Sequence, residues 1–214
     1  VTSEISEHAR EDLDCPWIDS ADGPLILAVG RLAKQKDFST LLEAFKLLEG
    51  DLDARLLILG KGPLRSQLEE QADVLGISDR IRMPGHVDNP YKFMASADVL
   101  ALSSRWEGLP TVLIEAMACG CQVVATDCPS GPAEILEGGK WGALVPPQDP
   151  DALAKGIKKQ LAASTDVQER ASAFSLERSL QGYYRILKSS GQCTACRWQE
   201  SLSRSFLFWG FSTV

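Results

Sequence analysis

Two carboxylates, Glu107 and Glu115, stand on either side of Pro110 in the segment Ser103-Ser104-Arg105-Trp106-Glu107-Gly108-Leu109-Pro110-Thr111 and its continuation to Gly120. Proline suits the first position of a helix, where its missing N–H would lack a partner anyway. A helix that starts at Pro110 carries Glu115 roughly 7.5 Å along its axis and leaves Glu107 in the preceding loop. The N–H groups at such a helix end form a ready phosphate site. A phosphate held there has a carboxylate on each side, both able to accept hydrogen bonds from hydroxyls. Ribose diol, diphosphate and sugar hydroxyls in one ligand describe a nucleotide sugar. Val112, Leu113, Ala116 and Met117 surround Glu115 with apolar neighbours, and a charge so placed is usually paired or liganded.

Further candidates follow other apolar runs. Gly30-Arg31-Leu32-Ala33-Lys34-Gln35-Lys36 offers a close backbone approach at Gly30 and two cations, Arg31 and Lys36, able to neutralise a diphosphate and a departing nucleoside diphosphate. Gly85-His86-Val87-Asp88-Asn89-Pro90 can present backbone groups to a base edge. Gly60-Lys61-Gly62 lacks the third glycine of a dinucleotide fingerprint and reads as a tight turn. Asp127-Cys128-Pro129-Ser130-Gly131-Pro132 is a secondary loop, with Glu134 beside a helix start.

Alternating apolar and amphipathic runs position these loops. Strands are predicted at Leu25–Val29, Arg55–Leu59, Ile81–Met83, Asp98–Leu102, Gln122–Thr126 and Ala143–Val145. Helices are predicted at Ser39–Leu48, Pro63–Leu75, Tyr91–Ala95, Pro110 to Gly120, Pro132–Glu137 and Asp149–Ala162. This alternation predicts an α/β fold, a Rossmann-like parallel sheet of about six strands with helices on both faces. Every candidate lies at or just after a strand's carboxyl end, where such sheets bind ligands. Residues 1 to 22 are acidic, lack periodicity apart from the apolar island Pro16-Trp17-Ile18, and read as a linker or the remnant of a preceding domain. The domain is expected over 23–187, and residues 188–214, with the aromatic cluster Phe206 to Phe211, as an atypical disordered tail.

The chain of 214 residues is ordinary in hydrophobic (44%) and charged (24%) content, so it reads as a soluble globular domain. Its net charge of −7 argues against a nucleic-acid partner. No apolar run approaches the ~20 residues of a membrane span, and the polar N-terminus is no signal peptide. The missing initiator Met suggests a fragment or processed product. Of six cysteines, Cys193 and Cys196 form one C-x-x-C pair without a second, so no metal site is expected; unpaired thiols fit a reducing cytoplasm.

From Leu25 to about Tyr184 the chain resembles the donor-binding C-terminal domain of family 4 retaining glycosyltransferases, enzymes with two facing Rossmann-like domains (the GT-B fold). The segments that carry the resemblance occur in the family's order: Gly30-Arg31 with Lys36, Leu59 to Gly62, Pro84 to Val87, Ser103 to Pro110, Glu115-Ala116 and Gly142 to Pro146. The resemblance implies that Arg31 and Lys36 hold the diphosphate and stabilise the leaving group. It also implies that Glu115 binds the ribose hydroxyls, that Glu107 with Gly108, Leu109, Pro110 and Thr111 binds the hexose, and that His86 and Val87 hold the base. It implies retention of anomeric configuration, a front-face displacement, no cofactor and no bound metal. Glu107 joins Arg31 and Lys36 as a catalytic candidate.

The chain departs from the family at Cys121-Gln122, Ala133 and Lys140-Trp141, none of which removes a donor ligand. The family's N-terminal acceptor domain is absent, so weak binding and poor turnover are expected of this chain alone. The donor is a nucleotide sugar, with a UDP-sugar favoured because the Cys128 to Pro132 loop resembles enzymes of surface-polysaccharide assembly. The expected location is cytoplasmic, with peripheral membrane association of the full-length enzyme. A non-catalytic remnant or interaction domain and a sugar-nucleotide epimerase are the alternatives; the broken glycine pattern disfavours a dinucleotide-dependent oxidoreductase.

Overall fold

The computed structural model describes residues 2–13, 15–19, 23–50 and 52–189. In chain order the elements begin with helices α1 (Thr2–His8) and α2 (Pro16–Asp19), strand β1 (Leu25–Val29), helix α3 (Phe38–Lys46), strand β2 (Arg55–Leu59) and helix α4 (Arg65–Leu75). They continue with β3 (Ile81–Gly85), α5 (Tyr91–Ser96), β4 (Val99–Leu102), α6 (Thr111–Ala118), β5 (Gln122–Thr126) and α7 (Pro132–Ile135). The last are β6 (Ala143–Val145), α8 (Pro150–Leu161), α9 (Val167–Ser172) and α10 (Leu176–Ser189).

The six strands form one parallel sheet in the order β3-β2-β1-β4-β5-β6. This is the α/β architecture the alternation predicts, a Rossmann-like parallel sheet with helices on both faces. Chain direction across the sheet reverses between β1 and β4, so the loops that follow them diverge from a topological switch point, where ligands of such sheets sit.

Strand parity divides the core. Ile26, Ala28, Leu56, Ile58, Val99, Ala101 and Val124 face one side and pack with Leu41, Leu42 and Phe45 of α3, Leu68 and Ala72 of α4, and Leu153 and Ile157 of α8. The alternate residues, buried Leu27, Leu57, Leu100 and Val123 among them, turn to the side of α5 and α6, which contact β1, β4 and β5. With both faces covered, strands read as continuous apolar runs rather than alternating ones. Asp149 accepts a hydrogen bond from Ala152 N at 2.8 Å, capping α8 with Pro150 in its first turn.

Residues 2 to 19 are not the featureless linker that their lack of periodicity suggests. Helix α1 buries Ile5 to 3% exposure and packs against α5 and α6. A seven-residue helix is too short a pattern for periodicity to register. The segment around α2 is held from the sheet edge: the buried Arg55 guanidinium donates to the carbonyls of Trp17, Ile18 (2.8 Å) and Gly23 (3.3 Å) and lies over the Trp17 ring at 5.4 Å. Arg82 lies over the same ring at 5.2 Å.

Helix α9, also unforeseen, supplies partners for two helix ends. Gln168 Nε2 donates to Ala118 O at 3.0 Å, and Arg170 donates to Ile135 O at 2.7 Å and Glu134 O at 2.9 Å. These carbonyls belong to the last turns of α6 and α7, where no intrahelical donor reaches. The first compact unit ends at Ala173, short of the expected boundary at 187. In the second unit, α10 carries Leu180, Tyr183, Tyr184 and Leu187 at helical spacing. The Cys193-x-x-Cys196 pair and the Phe206 to Phe211 cluster lie outside the described residues.

Candidate functional site

The loops after β1, β2 and β3 are fastened to one another through their backbones. Gly30 N donates to Leu59 O (2.9 Å), Gly60 N to Gly85 O (2.7 Å), Leu32 N to Lys61 O (3.0 Å) and Leu64 N back to Leu32 O (3.1 Å). Contact this close excludes side chains. A Cβ on Gly60, where φ is +143°, would stand 1.9 Å from Gly30 O, and one on Gly62 would stand 2.3 Å from Leu32 O. The glycines of the Gly60-Lys61-Gly62 turn are therefore there for loop-on-loop packing.

These three loops enclose a cavity of about 460 Å³ lined by Val29, Gly30, Arg31, Leu59, Gly60, Lys61, His86, Val87 and Pro90. Arg31, Lys61 and His86 face it and no carboxylate does. A second cavity, of about 450 Å³, adjoins it across the loop that runs into α5; its lining is Ile5, His8, Glu11, Asp88, Asn89, Tyr91 and Glu115. Here the charge is reversed, with Glu11, Asp88 and Glu115 present. Asn89 links the parts of this second cavity: its Nδ2 donates to His8 O and to Glu11 Oε2, both at 2.9 Å, and its Oδ1 accepts from Tyr91 N at 3.0 Å. The hydrogen bonds from His8 and then Asn89 hold the Glu11 carboxyl below its ordinary pKa.

Between the loops after β1 and β4 the fastening uses side chains. Lys36 Nζ donates to Glu107 Oε1 at 2.6 Å, and Ser104 Oγ donates to the same oxygen at 2.6 Å. Lys36 and Glu107 are only 17% and 8% exposed as side chains, so this ion pair is shielded from solvent. Ser103 Oγ donates to Lys36 O (2.7 Å), Arg105 N to Gln35 O (2.8 Å), Gln35 Nε2 to Trp106 O (3.0 Å), and the buried Thr126 Oγ1 to Ser104 O (2.5 Å). Asp37, buried and in the left-handed region at φ 48°, accepts from Thr40 Oγ1 at 3.0 Å and Arg105 Nη2 at 2.9 Å. That bond raises the Arg105 pKa further above its ordinary value.

The Lys36 stem runs along Gly30, where an added Cβ would meet Lys36 Cε at 3.0 Å, so the ion pair flanks the basic cavity. Helix α6 begins at Thr111, with Pro110 at the N-cap rather than inside. No side chain caps α6, and its first N–H groups lack intrahelical acceptors.

The predicted residues thus fall into three neighbouring groups. Gly30, Arg31, His86 and Val87 line the basic cavity. Lys36 and Glu107 form the ion pair beside it. Glu115, half-buried, lines the acidic cavity. Arg31, Lys36, Glu107 and Glu115 do not line a single cavity: the loop from His86 to Tyr91 lies between the basic and acidic cavities, and Lys36 turns to Glu107. Gly108 has open space around it, Leu109 is 58% exposed, Pro110 is buried and Thr111 is exposed at the start of α6. Sequence reasoning missed Lys61, Asn89, Asp37 and the contribution of α1. For Lys61 the signal was available, since it follows a strand end as Arg31 does. For Asn89 and α1 it was not, because their pairing spans 81 residues.

The cysteines near the site are poor nucleophiles. Burial, with the Glu115 charge, pushes the Cys119 thiol up to about 11, and burial also raises Cys121 and Cys128. Among the described residues no cluster of three metal-ligating side chains occurs and no helix is long and apolar enough to cross a membrane.

The family described as Glycosyl transferases group 1 matches residues 17–175. The N-acetylgalactosamine-N,N'-diacetylbacillosaminyl-diphospho-undecaprenol 4-alpha-N-acetylgalactosaminyltransferase of Campylobacter jejuni is 36% identical over 157 residues, 73% of this chain and 41% of that protein. The lipopolysaccharide core biosynthesis glycosyltransferase LpsE of Rhizobium meliloti is 33% identical over 189 residues, 84% of this chain and 53% of that protein. The chain thus spans about half the length of these relatives. Among solved structures, HepE of Anabaena in complex with UDP superposes with a TM-score of 0.69 at 23% identity, over 89% of this chain and 53% of that one. By its sequence match across most of its length and by its fold, the chain belongs to the group 1 glycosyl transferase family.

Proposed function

We propose that this chain is the C-terminal, donor-binding half of a family 4 retaining glycosyltransferase, and that it binds a nucleotide sugar for hexosyl transfer. The observation that carries this reading is the pair of adjoining cavities of opposite charge, one at the carboxyl ends of β1 to β3 and the other between the loop after β3, α1 and α6. An anionic diphosphate suits the basic cavity, with Arg31 as its charged contact. The ribose hydroxyls suit Glu115 in the acidic one. The His86–Val87 loop between them offers backbone groups to the base.

Glu107 and the open N-terminus of α6 take the hexose. Lys36 enters the reaction already bonded to Glu107, so a sugar hydroxyl that engages Glu107 loosens Lys36 toward the diphosphate, where negative charge develops as the glycosidic bond breaks. Charge stabilisation in this scheme comes from Arg31 and Lys36 and needs no metal or other cofactor. The acceptor attacks from the side of the departing phosphate, which retains the anomeric configuration.

The relatives' names, with diphospho-undecaprenol and lipopolysaccharide core among their terms, support assembly of a surface polysaccharide or glycolipid; the proposal places that work at the cytoplasmic face of a membrane. HepE has been solved with UDP, which makes UDP the first probe. In this reading the rest of the enzyme supplies the acceptor site and excludes water on closure, so the chain alone binds donor weakly and turns it over poorly. Calorimetric titration with UDP, GDP and ADP tests it: heat with one diphosphate, weakened about tenfold by Arg31→Ala, is the expected result. A folded sample that gives no heat with any of the three contradicts it.

A further inference from the structure

We infer that Lys61 is a diphosphate ligand of this site, the second cation of the basic cavity. The inference rests on the nucleotide-sugar reading above and adds a residue to it. Each phosphorus of a nucleotide sugar's diphosphate carries a negative charge, and the released nucleoside diphosphate adds most of a third. Lys36 has its charge matched by Glu107 at 2.6 Å. Arg31 then leaves the ligand's charge only partly matched. Lys61 lines the same cavity as Arg31, and neither cation has a carboxylate partner among the described residues.

Its position is built rather than incidental. Lys61 O accepts the bond from Leu32 N, and the glycines on either side press against Gly30 O and Leu32 O, so its Cα cannot drift. The stem lies across Gly85, where an added Cβ would come within 3.6 Å of Lys61 Cε. In a chain with an overall charge of −7, a lining that holds Arg31 and Lys61 and no carboxylate is the more telling.

The test is a titration of UDP, GDP and ADP, and of the matching monophosphates, into wild type, Lys61→Gln and Lys61→Arg. Lys61 is exposed, so both variants are expected to fold, and circular dichroism melting checks this. The inference predicts that K61Q weakens the binding diphosphate about five- to tenfold and the monophosphate less. Lys61→Arg restores most of the loss, and added salt narrows the gap between wild type and K61Q. Diphosphate binding that is unchanged in K61Q overturns the role of Lys61 and leaves the nucleotide-sugar reading intact. Wild type that binds none of the diphosphates overturns both.

Discussion

The two halves of the site are held together by different means. On the β1–β2–β3 side, the loops lock by backbone hydrogen bonds and glycine contacts too close for any side chain, and Arg31 and Lys61 face the cavity without a carboxylate partner among the described residues. On the β4–α6 side, the backbone bond from Arg105 N to Gln35 O and the close approach of Gly131 to Gly108 are joined by a network of side chains: Ser104, Glu107, Lys36, Arg105, Asp37 and Thr126. The first side keeps its cations free for a ligand because its architecture does not need them. The second uses its charged groups as architecture, so a ligand must exchange hydrogen bonds there. That difference suits a rigid diphosphate cradle beside a hexose site that rearranges during reaction.

Substitutions can break this contrast. The largest effect is expected from Gly60→Ala, which forces a Cβ against Gly30 O and should cost about 3 kcal/mol or more of stability in urea unfolding. Gly108→Ala, in open space on the other side, should stay within about 0.5 kcal/mol. Next, Thr126→Val removes the buried donor to Ser104 O and should cost about 1–3 kcal/mol. The same range is expected of Arg105→Ala, which leaves the Asp37 carboxylate with Thr40 alone.

Glu107→Gln sharpens the functional side of the comparison. It removes the charge that matches Lys36 and leaves the hexose a neutral amide oxygen in place of a carboxylate, so UDP should bind about threefold tighter while a UDP-sugar gains nothing or weakens; calorimetry with both ligands reads the split. The smallest effect concerns thiols. With its pKa near 11, Cys119 is almost wholly protonated at pH 8. Mass spectrometry after iodoacetamide treatment at that pH should find it unlabelled, with Cys121 and Cys128, and labelling should appear only on unfolding.

The sheet was legible in the sequence because most strands, β1, β2, β4 and β5 among them, are buried on both faces and so read as apolar runs, whereas edge strand β3 alternates buried and exposed residues; β1, β2, β5 and β6 have the predicted limits. The site's loops were legible because Arg31, His86 and Glu107 each follow such a run. What could not be read was which charges spend themselves on each other. Lys36 and Arg31 look alike in sequence, yet one is paired across 71 positions and the other is not. The N-terminal helix escaped for a related reason, since Ile5 and Asn89 acquire meaning only from partners distant along the chain.

The division of labour between the two cavities is tested most directly by removing the ligand's ribose hydroxyls and the residue meant to bind them. UDP and its 2′,3′-dideoxy analogue are titrated into wild type and Glu115→Ala. Wild type is predicted to prefer UDP by about tenfold, and E115A to bind the two equally, at the analogue's affinity. An unchanged preference for UDP in E115A would place the ribose elsewhere and contradict the account.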